Sequence, residues 1–379
     1  MSLPPLRLGP GGLQVFAVED TTAQLTWSAL GRGEATFAAG GGLPRSVALD
    51  GGPGSVVLGG LPPGADFDVV VDAPALGRRA RLRAHTLAAL PGTVQARVAT
   101  VSDVHIGTTA FGHRGTLVER PAPAVPHPER CTEAALAEAV EWGAEVIVVK
   151  GDLTDSGTLL QWQRAAAMLR EVPVPVYVLP GNHDRSERRT IEPWDAGARL
   201  GLHVVHGVEV VDRPGLRLVL ADTSVPGTSK GRLRERAEAI VDAARAAPRD
   251  ASVLVAVHHH LHRLPMPMPW PPGVPGVEAR PFLDALGAAH PRVLVTAGHT
   301  HRHRRRHQAG VAVTQVGATK DWPGVWAGYT AATGGLRQVV RRTGRADVLR
   351  WTDHTRRGAA GLWRWWSPGA LDDRCFSIT

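Results

Sequence analysis

The chain has 379 residues, 43% of them hydrophobic and 21% charged, ordinary globular values that exclude wholesale disorder and a fibrous repeat and leave room for about two domains. Its formal charge is +8, carried almost wholly by arginine because lysine occurs only at Lys150, Lys230 and Lys320; so diffuse a charge steers anions modestly and does not by itself imply a nucleic-acid partner. The two cysteines, Cys131 and Cys375, exclude a disulfide framework and a thiolate metal site, so any metal must rest on nitrogen and oxygen ligands. No apolar signal segment opens the chain and no stretch of about 18 apolar residues occurs, so it reads as a cytoplasmic protein without a membrane span.

Residues 1–93 carry short apolar runs at 13–18, 23–27, 34–37, 46–49, 55–58, 67–71 and 80–85, separated by Gly/Pro clusters. Short runs at this spacing, without a helical period, predict a small antiparallel β-sandwich. The stretch DTTAQLTWSAL, with Trp27 as core tryptophan, resembles the second strand of a fibronectin type III domain. GLPPGADFDVVV resembles that family's Leu-x-Pro-Gly turn and the strand after it. Phe67 stands where the family usually has a tyrosine, so the hydroxyl bond that ties down this corner must be absent. The module offers no catalytic constellation.

Residues 87–91 read as a linker. Beyond it, strand-like runs at 95–102, 145–150, 176–179, 217–221, 252–257 and 292–297 alternate with helix-like stretches at 132–142, 159–170, 233–246 and 280–288. Runs such as EVIVVK and SVLVAV lack polar alternation, as strands covered on both faces do. The pattern predicts a layered α/β domain over 94–340 and a Trp-rich extension over 341–379. The loop 107–128 and the Pro-rich run 265–275 resist assignment.

Metal-binding residue types follow these buried strands, at the ends where open α/β sheets place ligands. In order they are Asp103-Val104-His105, Gly151-Asp152-Leu153-Thr154-Asp155, Gly181-Asn182-His183-Asp184, His258-His259-His260 and Gly298-His299-Thr300-His301. Each block alone is weak: a His-x-His is often a solvated pair, and Gly-Asn-His-Asp is an ordinary turn sequence. Five of them in one order have no apolar-core explanation.

The ordered set resembles the calcineurin-like metallophosphoesterase superfamily over residues 95–330, and GDLTDSG with PVPVYVLPGNHD is most similar to its class III cyclic nucleotide phosphodiesterases and glycerophosphodiesterases. The resemblance implies a four-layer αββα sandwich with a centre of two divalent or trivalent metal ions, among Mn, Fe, Zn and Co, which mixed N/O sites do not distinguish. On the family pattern Asp103, His105 and His301 complete one metal site and Asn182, His258 and His299 the other, with Asp152 as the bridge. Such a pair, roughly 4 Å apart, suits phosphoester hydrolysis because it supplies a hydroxide nucleophile and neutralises the attacking and leaving oxygens. Asn182, a neutral donor, keeps the charge low enough to admit an anion. His183 resembles the histidine that stabilises the transition state or protonates the leaving oxygen, with Asp184 either orienting its ring or capping the following turn. The residues themselves leave His258 and His259 open as ligands; the family's His-His block implies His258. Purple acid phosphatases are the other relative, but their metal-binding tyrosine follows the Gly-Asp block, where this chain has Asp155, so an iron–tyrosinate centre is not expected.

The implied activity is hydrolysis of a small phosphodiester, such as a cyclic nucleotide or glycerophosphodiester. A phosphomonoesterase or nucleotidase would need a charged residue closing the pocket on the non-bridging oxygens, and a non-catalytic adaptor would have lost ligands, whereas none of the expected set is missing. The run 301–307, HRHRRRH, reads as an exposed strand with alternate residues solvated; lacking interleaved aromatics it makes a poor nucleic-acid surface. Met266, Met268 and Trp270 read either as an apolar wall beside the metals or as a loop packed on its own domain. Trp363, Trp365 and Trp366 are too bulky to leave exposed and predict a tail packed on the catalytic domain or across a homo-oligomer interface.

Overall fold

The computed structural model describes residues 9–40, 42–112, 115–263 and 271–379; Met266, Met268 and Trp270 lie outside them. The first seven strands are β1 (Gln14–Val18), β2 (Ala23–Trp27), β3 (Arg32–Ala39), β4 (Arg45–Asp50), β5 (Gly54–Leu58), β6 (Asp66–Asp72) and β7 (Ala80–His85). They form two antiparallel sheets, β1-β2-β5 and β4-β3-β6-β7. Phe16, Leu25, Trp27, Phe37, Phe67 and Val69 are buried between them, with Trp27 stacked on Phe37 at 5.2 Å. The corner that Phe67 cannot tie is held by Thr86, whose hydroxyl donates to the Pro62 carbonyl at 2.6 Å and accepts from the Ala65 amide at 3.0 Å.

After β8 (Val94–Val101), a small hairpin of β9 (Ala110–Phe111) and β10 (Leu117–Val118) leads to α1 (His127–Glu141). There follow β11 (Val146–Lys150), α2 (Leu159–Arg170), β12 (Val176–Leu179), α3 (Pro193–Leu200) and β13 (His203–Val204). Next come β14 (Val208–Arg213), β15 (Leu216–Ala221), α4 (Ala237–Arg245), β16 (Ser252–Val257), α5 (Gly276–Ala289) and β17 (Val293–Ala297). Two hairpins, β18 (Arg304–Gln308) with β19 (Val311–Gln315) and β20 (Val325–Ala332) with β21 (Gly335–Arg342), precede α6 (Ala346–Thr355), α7 (Trp363–Trp366), α8 (Leu371–Arg374) and β22 (Cys375–Ile378).

The strands build a seven-stranded sheet, β13-β12-β11-β8-β20-β21-β22, and a six-stranded sheet, β14-β15-β16-β17-β19-β18. Val98, Val146 and Val148 of the first face Leu218, Leu254 and Leu294 of the second in one shared core. Their opposite faces are closed by helices: Ile147 and Val149 lie under Ala135, Ala139 and Trp162, while Val253 and Val255 lie under Ile240, Phe282 and Leu286. Helix, sheet, sheet, helix is therefore the layer order, which explains why the central strands are apolar on both faces. Among the described residues no helix is long and apolar enough to cross a membrane.

Several elements differ from their sequence expectation. Helix α1 begins at His127 rather than 132, because the prolines of its first turn sit where a missing N–H costs nothing. β21 runs to Arg342, across the expected boundary at 340, and β22 pairs with it, so the last residues belong to the catalytic sheet. The arginine run is not an exposed alternating strand: His303 is fully buried, Arg304 to Arg306 are half-buried, and the Arg305 amide donates to Asp373 at 2.8 Å. Trp363 packs on Phe111 at 5.9 Å, but Trp365 and Trp366 remain 40% and 41% exposed. Each of these two is covered by a guanidinium 4.4 Å from its ring, from Arg364 and Arg302 respectively, which satisfies an indole face at the surface.

The N-terminal module is docked firmly on the catalytic sheet. Gln24 spans the joint in both directions, donating to the Arg342 carbonyl at 2.7 Å and accepting from its amide at 2.9 Å. Arg374, fully buried, donates to the Phe16 carbonyl at 2.9 Å. Replacing Gln24 by Ala strands two buried backbone groups and is expected to cost about 1–3 kcal/mol, read as a lower urea midpoint with release of the module to limited proteolysis. Buried His127, stacked on Trp351 at 4.0 Å, is pushed down to about 3 by burial and by the charge of Lys320. Between that value and its ordinary 6.5 only the unfolded chain takes up the proton, so stability is lost as pH falls through this window, by about 1.4 kcal/mol per pH unit at most. Denaturation of His127→Phe between pH 7 and 4 should show a shallower loss than the parent.

Candidate metal centre

The five sequence blocks converge at one end of the two sheets. Asp103 and His105 follow β8, Asp152 follows β11, Asn182 follows β12, His258 follows β16, and His299 and His301 follow β17. Parallel strands from both sheets thus deliver their loops to a common point. The turns are sharp: Asp103, His105, Asp152, His299 and His301 all adopt positive φ, between 51° and 67°. Only three other non-glycine residues among those described do so, and each such position costs of order 1–3 kcal/mol unless the surroundings hold it. The glycines before the ligands are steric necessities. A Cβ on Gly181 would lie 2.1 Å from the Asp152 carboxylate, and one on Gly151 would lie 2.4 Å from the His258 ring.

Asp152 is central. Its Oδ2 lies 3.6 Å from His105 Nε2 on one side and 3.3 Å from His258 Nε2 on the other, while Oδ1 accepts from the His183 amide at 2.8 Å. His258 Nε2 is also 3.2 Å from Asn182 Oδ1. Asp103 Oδ1 faces His301 Nε2 at 3.5 Å. Four overlapping donor groups result, Asp103/His105/His301, Asp103/Asp152/His258, His258/His259/His299 and His105/Asp155/His183, each compact enough to share one ion, with His299 beside His258 at a ring separation of 5.1 Å. His105 Nε2 is buried with no hydrogen-bond partner among the described residues. An orphaned buried nitrogen aimed at a carboxylate is what a cation site requires, so the donor set fits bound metal.

The rings are held from behind. His258 Nδ1–H donates to the Lys150 carbonyl at 2.8 Å and His301 Nδ1–H to the Asp321 carboxylate at 2.6 Å, which leaves each Nε2 as the free donor. His299 Nε2 pairs with the Pro272 carbonyl at 3.1 Å. Burial, reinforced by His258, pushes His299 down to about 3 and keeps it neutral. Burial also opposes a charge on His258, but the Asp152 carboxylate beside it prevails and raises it to about 9. Burial disfavours the Asp152 charge in turn, yet His258 and His183 hold that carboxylate well below its usual range.

His183 is 40% exposed at the cleft wall, its Nδ1 2.9 Å from the Asp155 carbonyl oxygen and its ring edge-on to His105 at 4.3 Å. Asp184 neither orients that ring nor caps the following turn. Its buried carboxylate accepts from the amides of Leu153, Thr154 and Gly181 and from the Thr154 hydroxyl, at 2.7–3.2 Å, and so braces the Asp152 loop. Burial and then the neighbouring Asp152 raise it to about 6. His259 is turned aside, with Nδ1 2.9 Å from the Thr223 hydroxyl, although among the described residues its buried Nε2 lacks a partner and it can group with His258 and His299.

Above the centre lies a cleft of about 570 Å³ whose floor includes His105, Asp152, Asn182, His299 and His301. Phe111, Trp363 and Trp366 form an apolar wall, and Lys320 and Arg302 add two cations. Neither Lys320 nor Asp321 was expected. Both follow β19, whose sequence VAVTQ is as buried as the other ligand-bearing strands, so the strand-end rule that located the histidines also pointed here.

The calcineurin-like phosphoesterase description matches residues 96–303. The chain belongs to that family. Within it, the chain is 26% identical over 170 residues to an Arcobacter nitrofigilis protein named "Probable glycerophosphodiester phosphodiesterase GpdQ", the match covering 42% of this chain and 57% of the relative. It is 29% identical over 232 residues to a Rhodococcus erythropolis protein named "Probable cyclic nucleotide phosphodiesterase", covering 57% and 70% respectively. It is 26% identical over 165 residues to the Pseudomonas aeruginosa 3',5'-cyclic adenosine monophosphate phosphodiesterase CpdA, covering 43% and 57%. The chain thus spans little more than half the length of two of these relatives. Among solved structures, purple acid phosphatase PPD1 from yellow lupin aligns with a TM-score of 0.47 at 14% identity, over 88% of this chain and 72% of that one.

If Asp152 is shared by two ions, its loss should be felt at both sites. Asp152→Asn, dialysed and assayed for bound metal by plasma mass spectrometry, is expected to retain less than about half the parent's content, because the charged oxygen that lies between His105 and His258 is lost.

Proposed function

We propose that the protein is a metal-dependent phosphoester hydrolase that cleaves a small phosphodiester such as a cyclic nucleotide or glycerophosphodiester. The observation that carries this reading is the position of Asp152, one carboxylate reaching towards His105 on one side and His258 on the other. Asp103, His105 and His301 would hold one ion, Asn182, His258 and His299 a second, and Asp152 both. When bound, such ions supply positive charge to phosphoryl oxygens and activate water at neutral pH. The chain's own residues provide the rest. His183 is tethered through Nδ1–H to the Asp155 carbonyl, which leaves Nε2 for the cleft, and in the imidazolium form this nitrogen carries the second proton that would pass to the leaving oxygen. The indole and phenyl wall excludes water from one side of the cleft and offers apolar surface to the leaving group. The names of the relatives support the diester preference. The three-plus-four arrangement of antiparallel strands supports a fibronectin type III-like reading of residues 1–93 as an accessory, packing module.

A phosphomonoesterase is the second reading, favoured by one observation: Lys320 and Arg302 bring positive charge into the cleft beyond that of the metals. Turnover of metal-reconstituted protein on cyclic nucleotides, glycerophosphodiesters and monoesters separates the two. Diesters are expected to give the higher kcat/KM by about tenfold or more, and Asp152→Asn to lose at least about a hundredfold. Turnover of monoesters alone would overturn the diester preference, and an unimpaired Asp152→Asn would sink the two-metal reading.

A further inference from the structure

Lys320 is a cation in the cleft without an ion-pair partner among the described residues. Its residue is only 7% exposed, and among the described residues its Nζ makes no hydrogen bond and no ion pair. It lies over the Phe111 ring, 5.8 Å from Nζ to centroid. The stem is buried while the side chain lines the cleft, so the charge stands at the cleft surface with no opposite charge among the described residues to complete it. The backbone holds it there deliberately: the Lys320 carbonyl accepts from Trp351 Nε1 at 2.7 Å, and the next residue, Asp321, is pinned between His301 Nδ1 at 2.6 Å and Trp363 Nε1 at 3.3 Å. The side chain lines the same cleft as His105 and His301. The other cation there, Arg302, already lies over the Trp366 face at 4.4 Å, whereas Lys320 has no comparable engagement. A phosphoryl group seated on the metal ligands is the anion that this geometry awaits.

We propose that Lys320 binds a non-bridging oxygen of the substrate's phosphoryl group and sets how well the cleft accepts a monoester dianion relative to a diester monoanion. This rests on the phosphoester-hydrolase reading above. The lysine shares the cleft with the neutral Asn182, so it adds the positive charge that a second anionic oxygen needs without adding a metal ligand.

The test uses Lys320→Met, which keeps the aliphatic stem against Phe111 and removes only the charge, and Lys320→Arg, which restores it. Inorganic phosphate is titrated calorimetrically into metal-loaded protein, with metal content and melting temperature measured alongside. Lys320→Met is expected to weaken phosphate binding about tenfold or more and to raise KM for monoesters several-fold more than for diesters. Metal content and melting temperature should hold, and Lys320→Arg should stay within about threefold of the parent. Phosphate affinity unchanged within twofold, an equal rise in KM for both ester classes, or loss of metal or of several degrees in melting temperature would each overturn the assignment. If the parent hydrolyses no phosphoester, the functional reading fails by itself, and the phosphate titration still decides the role of Lys320.

Discussion

The carboxylate of Asp152 is the constraint around which the structure is arranged. It is a buried charge, and a buried charge persists only when its oxygens are all occupied. One oxygen is bound by the His183 amide and the other faces two histidines delivered by different sheets. Holding those groups within 4 Å of one another requires the chain to turn abruptly after each strand. Left-handed backbone at five ligand positions is the outcome. The conformational cost is met by buried bonds behind the turns, those of Asp184 to the Asp152 loop and of Asp103 to the His299 amide at 3.0 Å among them.

The layered fold makes this possible. Two sheets share one core, so the loops of both are fixed relative to each other by the same packed valines and leucines, and the centre sits where neither sheet can move alone. Lys150 lies in that seam, its ammonium bonded to the Thr296 hydroxyl at 3.0 Å and the Ala297 carbonyl at 3.2 Å of the opposite sheet, and burial brings it down to about 7. The N-terminal sandwich extends the same logic outward. It is joined to β21 and to α8 through side chains that bond to main chain, Gln24 and Arg374, rather than through surface ion pairs alone.

Much of this was legible in the sequence because the physics is local. Short runs bounded by Gly and Pro marked the sandwich strands, and all-apolar runs marked the central strands, with Ala23–Trp27, Ala80–His85 and Leu159–Arg170 found to the residue. The cluster of candidate donors was legible because Asp, Asn and His after buried strands have no packing role to explain them. What escaped was set by tertiary contact. β20 carries Gly328 in its middle, which reads as a breaker, yet the glycine is there because Trp142 presses on it; a Cβ would lie 2.7 Å from that ring. Asp184 looked like a partner for its sequence neighbour, but a carboxylate goes to the nearest unsatisfied amides, and these belonged to a loop thirty residues earlier in the chain. Lys320 and Asp321 were hidden in a stretch whose Trp, Pro and Gly content resembles ordinary loop.

The bond from Trp363 to Asp321 has a temporal meaning as well as a spatial one. Asp321 orients a metal-binding ring, while Ser367 bonds the His301 carbonyl at 2.5 Å and β22 adds the outermost strand of the sheet. The first donor, Asp103, and the groups that steady His301 are thus separated by most of the polypeptide. During synthesis the strands and the bare histidines can assemble early, but the His301 ring and carbonyl stay unbuttressed until Asp321, Trp363 and Ser367 have emerged. A chain cut short before Trp363 would therefore carry every candidate donor and lack the contacts that steady the last of them.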